Sequence, residues 1–138
     1  MAKSRVDTKH IVPGGPGRTA ENDIDAGEAL KIGSAATYYD VATTYQDFVG
    51  VALADADSGE VVEIGGPGTI CMVRAGSAVV DGDPLVPTTA GAWIPQTNDD
   101  VFYCGRALSA ASASGEFFWA QIYPPTEGGN ISLLTTGS

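Results

Sequence analysis

Short apolar runs, each closed off by Gly, Asp or Ser, recur along the whole chain. The runs cover residues 29–32, 36–41, 47–53 and 60–64, then 69–74, then 84–86, 92–95, 101–108 and 116–123. Each is long enough for a strand and too short for a helix, and the Gly-rich turns between them come at close spacing. That pattern predicts an all-β fold, a small β-barrel of short strands. Gly at the turns supplies positive φ without steric cost, and the neighbouring Asp or Ser bonds the local backbone. The Ala- and Ser-rich stretch 109–114 admits one helical turn and nothing longer. Pro84, Pro87 and Pro95 cannot donate to a sheet ladder, so their strands are expected to be edges or short.

The pattern is written twice. Phe48 to Ile64 reads FVGVALADADSGEVVEI, and Tyr103 to Ile122 reads YCGRALSAASASGEFFWAQI. Gly50 and Gly105 stand 55 positions apart, and so do Gly27 and Gly82, Tyr38 and Trp93, and Ala52-Leu53 and Ala107-Leu108. The two Ser-Gly-Glu units, at Ser58 and Ser114, stand 56 apart, so the second loop is one residue longer. A fixed offset at several landmarks marks an internal duplication. Two copies are too few for a solenoid. The expected architecture is therefore two half-units, about 23–75 and 78–123, closing into one barrel.

The ends read differently. Residues 1–22 contain VPGGPGRTAEN, whose Pro and Gly argue against regular structure, and are expected to form an extended N-terminal arm. Residues 124–138, PPTEGGNISLLTTGS, form a C-terminal tail with a modest apolar strip at Ile131, Leu133 and Leu134. The barrel body is expected to span 23–123. Charge sharpens this division. Lys3, Arg5, Lys9 and Arg18 against Asp7 give residues 1–18 a charge of +3, so the other 120 residues carry −13 of the net −10. A basic arm on an acidic body suggests that the arm docks elsewhere, and the body repels nucleic acid. Only 17% of residues are charged, which is low for a lone monomer and suggests surface buried in an assembly. No apolar run approaches the roughly 20 residues needed to span a bilayer, and MAKSRVDTKH lacks the apolar core of a signal peptide. Neither a membrane nor secretion is expected.

Reactive chemistry is sparse. The only histidine, His10, lies in the arm, so a Ser-His or Cys-His couple has no base within the body. Gly14-Gly15-Pro16-Gly17-Arg18-Thr19 and Gly65-Gly66-Pro67-Gly68-Thr69 have the glycines of a phosphate loop but not its lysine. The pairs Asp55/Asp57, Asp81/Asp83 and Asp99/Asp100 sit in turn contexts, where Asp bonds the backbone. Cys71 and Cys104 belong to no CxxC pair. They could bridge only if their strands are neighbours, and free buried thiols are expected. Neither enzymatic activity nor a cofactor or metal is expected.

The order Ile24-Asp25-Ala26-Gly27-Glu28-Ala29-Leu30, Val49-Gly50-Val51-Ala52-Leu53 and Ser58-Gly59-Glu60-Val61-Val62 is followed by a second round. That round reads Ala78-Val79-Val80-Asp81-Gly82-Asp83-Pro84-Leu85 and Gly105-Arg106-Ala107-Leu108. Over about residues 22–123 this resembles the cement, or decoration, proteins of tailed-phage capsids. The resemblance implies a β-barrel of the β-tulip type that forms homotrimers on the outer surface of the mature head. Such trimers bridge neighbouring major capsid proteins and stabilise the shell. On that footing residues 1–22 are expected to face the capsid, through Lys3, Arg5, Lys9 and Arg18 against acidic groups and Ile11 and Val12 as apolar or strand-pairing contacts. Phe117 and Trp119 are the candidates for the trimer contact. The Asp-x-x-Ala-Gly-Glu-x-Leu phrase also resembles SAF-like β-clip domains. That alternative predicts a binding module for a sugar or an assembly ligand, with a cleft lined by Tyr38, Trp93 or similar.

Overall fold

The computed structural model describes residues 4–15, 17–96 and 102–127. Eleven strands lie among them. The first six are β1 (Thr8–His10), β2 (Thr19–Ala20), β3 (Ala29–Ile32), β4 (Tyr38–Val41), β5 (Phe48–Ala52) and β6 (Ile64–Gly65). The rest are β7 (Ile70–Arg74), β8 (Pro84–Pro87), β9 (Trp93–Pro95), β10 (Phe102–Ala107) and β11 (Phe117–Glu127). They form a six-stranded sheet, β1-β7-β11-β10-β8-β9, and a five-stranded sheet, β2-β4-β3-β5-β6. Isolated bridges between Pro13 and Gly65, Thr19 and Val61, and Ala75 and Trp93 carry pairing past the sheet ends. The chain is a small all-β barrel. Its larger apolar cluster holds Phe48, Val51, Val73, Leu85, Trp93, Phe118 and Ile122, and a second gathers Ile24, Leu30, Tyr39 and Val62.

The duplication is copied in the hydrogen bonds. Gly27 N donates to Ala52 O and Gly82 N to Ala107 O; Ala52 N donates to Glu28 O and Ala107 N to Asp83 O. Ile24 and Ala56 exchange both bonds, as do Val79 and Ala111. Leu30 is registered with Gly50, and Leu85 with Gly105. The reason is local: each Ala-Gly-acid or Asp-Gly-acid turn needs positive φ at its Gly, which is 89° at Gly27 and 93° at Gly82. One landmark shifts. Ala20 pairs with Tyr39 and Ala75 with Trp93, so the structural counterpart of Trp93 is Tyr39, not Tyr38. Burial agrees, because Tyr39 and Trp93 are both fully enclosed while Tyr38 is half-buried.

Other departures have clear causes. The described residues of 4–22 are not irregular throughout: β1 adds to the edge of β7, and β2 pairs in parallel with β4. Of the run 60–64 only Ile64 enters a strand, since Val62 N donates to Arg18 O instead. Strand β11 continues through Pro124 and Pro125. The partner register jumps there, from Gly105–Ile122 to Tyr103–Thr126, so the prolines fall in a bulge that asks no ladder donor of them. Pro95 is on the edge strand β9, and β8, inside the sheet, is short, with Pro84 and Pro87 at its two ends, both as expected. The stretch 109–114 forms no helix. Ser109 Oγ accepts from Trp119 N, and the Ser112 amide and hydroxyl both donate to Glu116, which fixes it as a loop. Strand β11 separates β7 from β10, and both Cys71 and Cys104 are free and buried. Burial pushes each thiol up to about 12.

Candidate docking face

Alternation along β7 and β11 sends one set of side chains inward and the other outward. Cys71, Val73, Phe118, Ala120 and Ile122 are enclosed. Ile70, Met72 and Arg74 on β7 face outward, registered with Gln121, Trp119 and Phe117 on β11. Phe117 is 45% exposed, and Leu108 just beyond β10 is also exposed. Lys9 of β1 reaches over this face, its Nζ 4.6 Å from the Trp119 ring centroid. Such a cation–π contact in a partly exposed setting contributes about 0.5–1 kcal/mol. Aromatic, Met and Arg side chains on one open sheet face are the composition of a protein contact rather than of ordinary solvated surface.

Beside Phe117 the turn 25–28 leans on the sheet. Arg74 Nη1 meets Glu28 Oε2 at 3.1 Å and Asp25 Oδ2 at 3.4 Å. Glu28 is one of the few buried polar side chains, and burial pushes its carboxyl above the usual range. The Asp25 amide donating to Oε1 at 2.9 Å and the Arg74 charge pull the other way. Arg74 N also donates to Gly27 O. A groove of about 630 Å³ opens here, lined among others by Arg5, Asp25, Asp55, Met72, Arg74 and Phe117.

The expected contact residues are placed as follows. Lys3 lies outside the described residues, as do the tail's Ile131, Leu133 and Leu134. Arg5 is tied at 2.5 Å to Glu63, an exposed pair worth at most about 1 kcal/mol. Arg18 Nε donates to Ala36 O at 2.7 Å and Nη1 to the Tyr39 hydroxyl at 3.0 Å. Val12 is half-buried: its amide donates to Thr69 Oγ1 and its carbonyl accepts from Gly66 N. Ile11 is exposed, like all of β1. Phe117, Trp119 and Lys9 therefore share one face, while Arg5 and Arg18 hold the N-terminal segment to the barrel. Arg74 and Leu108 belong to the same region and were not singled out from sequence. Their only signal was alternation with buried neighbours, which does not separate an open sheet face from a solvated one.

The alternative cleft does not form around Trp93. That side chain is 0% exposed, its Nε1–H donates to Gly27 O at 3.2 Å, and its ring meets Phe48 edge-on at 5.3 Å. Asp55 accepts from the Ala26 and Ser4 amides, and Asp83 from the Val80 amide, which are structural turn roles. Asp99 and Asp100 lie outside the described residues. Among the described residues no three His, Cys, Asp or Glu side chains are grouped to hold a metal, and no helix is long and apolar enough to cross a membrane.

Comparison with known proteins gives the fold a family. The chain is similar in fold to the N base of head fiber gp8.5 in bacteriophage phi29, with a TM-score of 0.64 and 22% identity. That likeness covers 80% of this chain and 94% of the phage phi29 one. No curated protein matches significantly. The family description "phage cement protein" matches residues 17–122, the whole of the duplicated unit. The chain belongs to the phage cement protein family, with a structural role associated with the phage head.

Proposed function

We propose that the protein cements the outside of the mature phage head, binding as a homotrimer that bridges neighbouring major capsid proteins. The observation that carries this reading is the cement-family match over residues 17–122. The surface supports it. The open face of Ile70, Met72, Phe117 and Trp119 is apolar, and Lys9 adds positive charge to it on a chain of net charge −10. In this reading that face, with β1 along its border, meets the capsid. Phe117 and Trp119 then serve the capsid contact together with Lys9 and Ile11, instead of the contact between copies. Strand β1 is terminal in its sheet among the described residues, so its outer edge offers backbone groups to a capsid strand.

The physics of cementing is multivalent. A shell under internal pressure parts at junctions between subunits. A trimer with a foothold on each neighbour must lose several contacts at once, and each further foothold engages at high effective concentration. Modest individual contacts then sum to tight attachment, and no reaction is required. The acidic remainder of the surface keeps decorated particles apart.

Co-sedimentation with expanded heads tests the reading. The wild-type chain pellets with heads at a saturating ratio, and decorated heads survive heating that opens bare ones. Phe117→Asp, on an exposed position, remains folded and loses binding. Equal pelleting by wild type and Phe117→Asp would overturn the assigned face, and no pelleting by wild type would overturn cementing.

A further inference from the structure

The duplicated units make one contact inside the chain and leave its counterpart unmade. The turn 25–28 of the first unit seats on β7, which the 55-residue offset makes the counterpart of residues 15–19, and on β11 of the second unit. Arg74 N donates to Gly27 O at 3.2 Å, its guanidinium reaches Asp25, and a Cβ on Gly27 would stand 2.9 Å from Phe117 Cε1. The repeat supplies a second set of the same parts. The turn 80–83 is the counterpart of 25–28, and the bridge between Thr19 and Val61 is the counterpart of the pairing between Arg74 and Phe117.

This second turn does not meet the second strand pair. Among the described residues nothing lies within 4 Å of a Cβ built on Gly82. Val80 is 66% exposed and Val61 70%, the two most exposed large apolar side chains among the described residues. A groove of about 450 Å³ beside Val61 is lined by Gly17, Arg18, Thr19, Ala36 and Thr37. The groove at the contact already made contains Met72, Arg74 and Phe117, the counterparts of Gly17, Thr19 and Val61, and also Asp25 and Ala26 of the seated turn. The Val61 groove thus has the same strand wall without a turn in it.

We propose that the turn 80–83 of one copy seats in the Val61 groove of a second copy, repeating between chains the contact that joins the two units within one. Charge favours this pairing. The turn presents exposed Asp81, and the groove presents Arg18, two of whose donors are used by Ala36 O and the Tyr39 hydroxyl out of the five a guanidinium carries. Asp81 and Arg18 stand where Ala26 and Val73 stand in the contact already made, so this ion pair is additional to the repeated one. Because the two surfaces differ, the contact is head-to-tail, and in a homotrimer three such contacts close into a ring. The inference deepens the homotrimer reading, on which it rests for the number of copies.

Val61→Asp and Val80→Asp in the full chain test it, by size exclusion with light scattering. Both side chains are exposed, so thermal unfolding monitored by circular dichroism stays as in wild type. Each variant alone places an unpaired carboxylate in the contact, weakens association on the order of 100-fold, and runs as a monomer. An equimolar mixture restores one good contact, between the Val80 turn of the first variant and the Val61 groove of the second, and runs as a two-chain species. Variants that remain trimeric, or a mixture that stays monomeric, overturn the contact while leaving the homotrimer standing. Wild type that is monomeric at every concentration overturns both, and its pelleting with heads then reports separately on cementing.

Discussion

Replacing Trp93 measures how firmly the two units are joined. Trp93 belongs to the second unit, yet its indole N–H donates to Gly27 O and its ring packs edge-on against Phe48, both in the first. Truncation to Ala leaves a large cavity, for which aromatic-to-Ala changes in cores cost about 3–5 kcal/mol. Complete enclosure and the edge contact, itself worth about 0.5–1.5 kcal/mol, put this site near the upper end. The lost hydrogen bond adds little, since Gly27 O keeps the Arg74 N–H and is not orphaned. The expected loss for Trp93→Ala is about 4–5 kcal/mol, against about 1–2 kcal/mol for Trp93→Phe, which retains most of the ring. At roughly 3 °C per kcal/mol for a domain of this size, Tm falls by about 12–15 °C and about 3–6 °C. Differential scanning fluorimetry at one fixed protomer concentration reads this, because assembly makes Tm concentration-dependent. A drop of less than about 3 °C for Trp93→Ala would refute the reasoning and restore Trp93 to a solvent-facing cleft.

The thiols set an alkaline limit. Each has a folded pKa of about 12 against an ordinary 9.0, so the folded state holds more protons between those values, and stability present below pH 9 is lost as pH rises toward 12. Urea unfolding from pH 8 to 11 shows this decline, which is shallower in Cys71→Ala and Cys104→Ala; a parallel decline in the variants contradicts it. Native protein at pH 8 also leaves a thiol reagent unreacted until denaturant is added. Deleting residues 2–12 strips β1 from β7 and removes the Arg5–Glu63 pair, so the shortened chain both melts lower and fails to pellet with heads. Undiminished stability would show that the segment is only an arm. In the monomeric Val61→Asp background, Gly82→Ala costs only the strain of positive φ, about 1–2 kcal/mol, whereas Gly27→Ala adds a clash with Phe117 and melts lower still. Equal Tm values for the two would contradict the asymmetry between the turns.

The sequence by itself determined the repeat, the strand class and most strand positions. Gly27, Gly82, Gly59 and Gly115 all require positive φ, and the apolar runs between them are too short for helices. These are local constraints, satisfied wherever the chain goes, so they are legible residue by residue. Which surface each strand turns outward was decided only by the tertiary structure. Trp93 and Trp119 look alike in sequence, yet the first is enclosed between the units and the second carries Lys9 on an open face. Pro and Gly in residues 4–22 suggested a loose arm, but β7 had an unpaired edge that only long-range pairing could fill, and β1 fills it. The unequal fates of the turns 25–28 and 80–83 were likewise invisible, because two nearly identical phrases cannot say which is covered. A repeat fixes what the contact is made of. Only the closure of the barrel fixes where that contact is made and where it is left open.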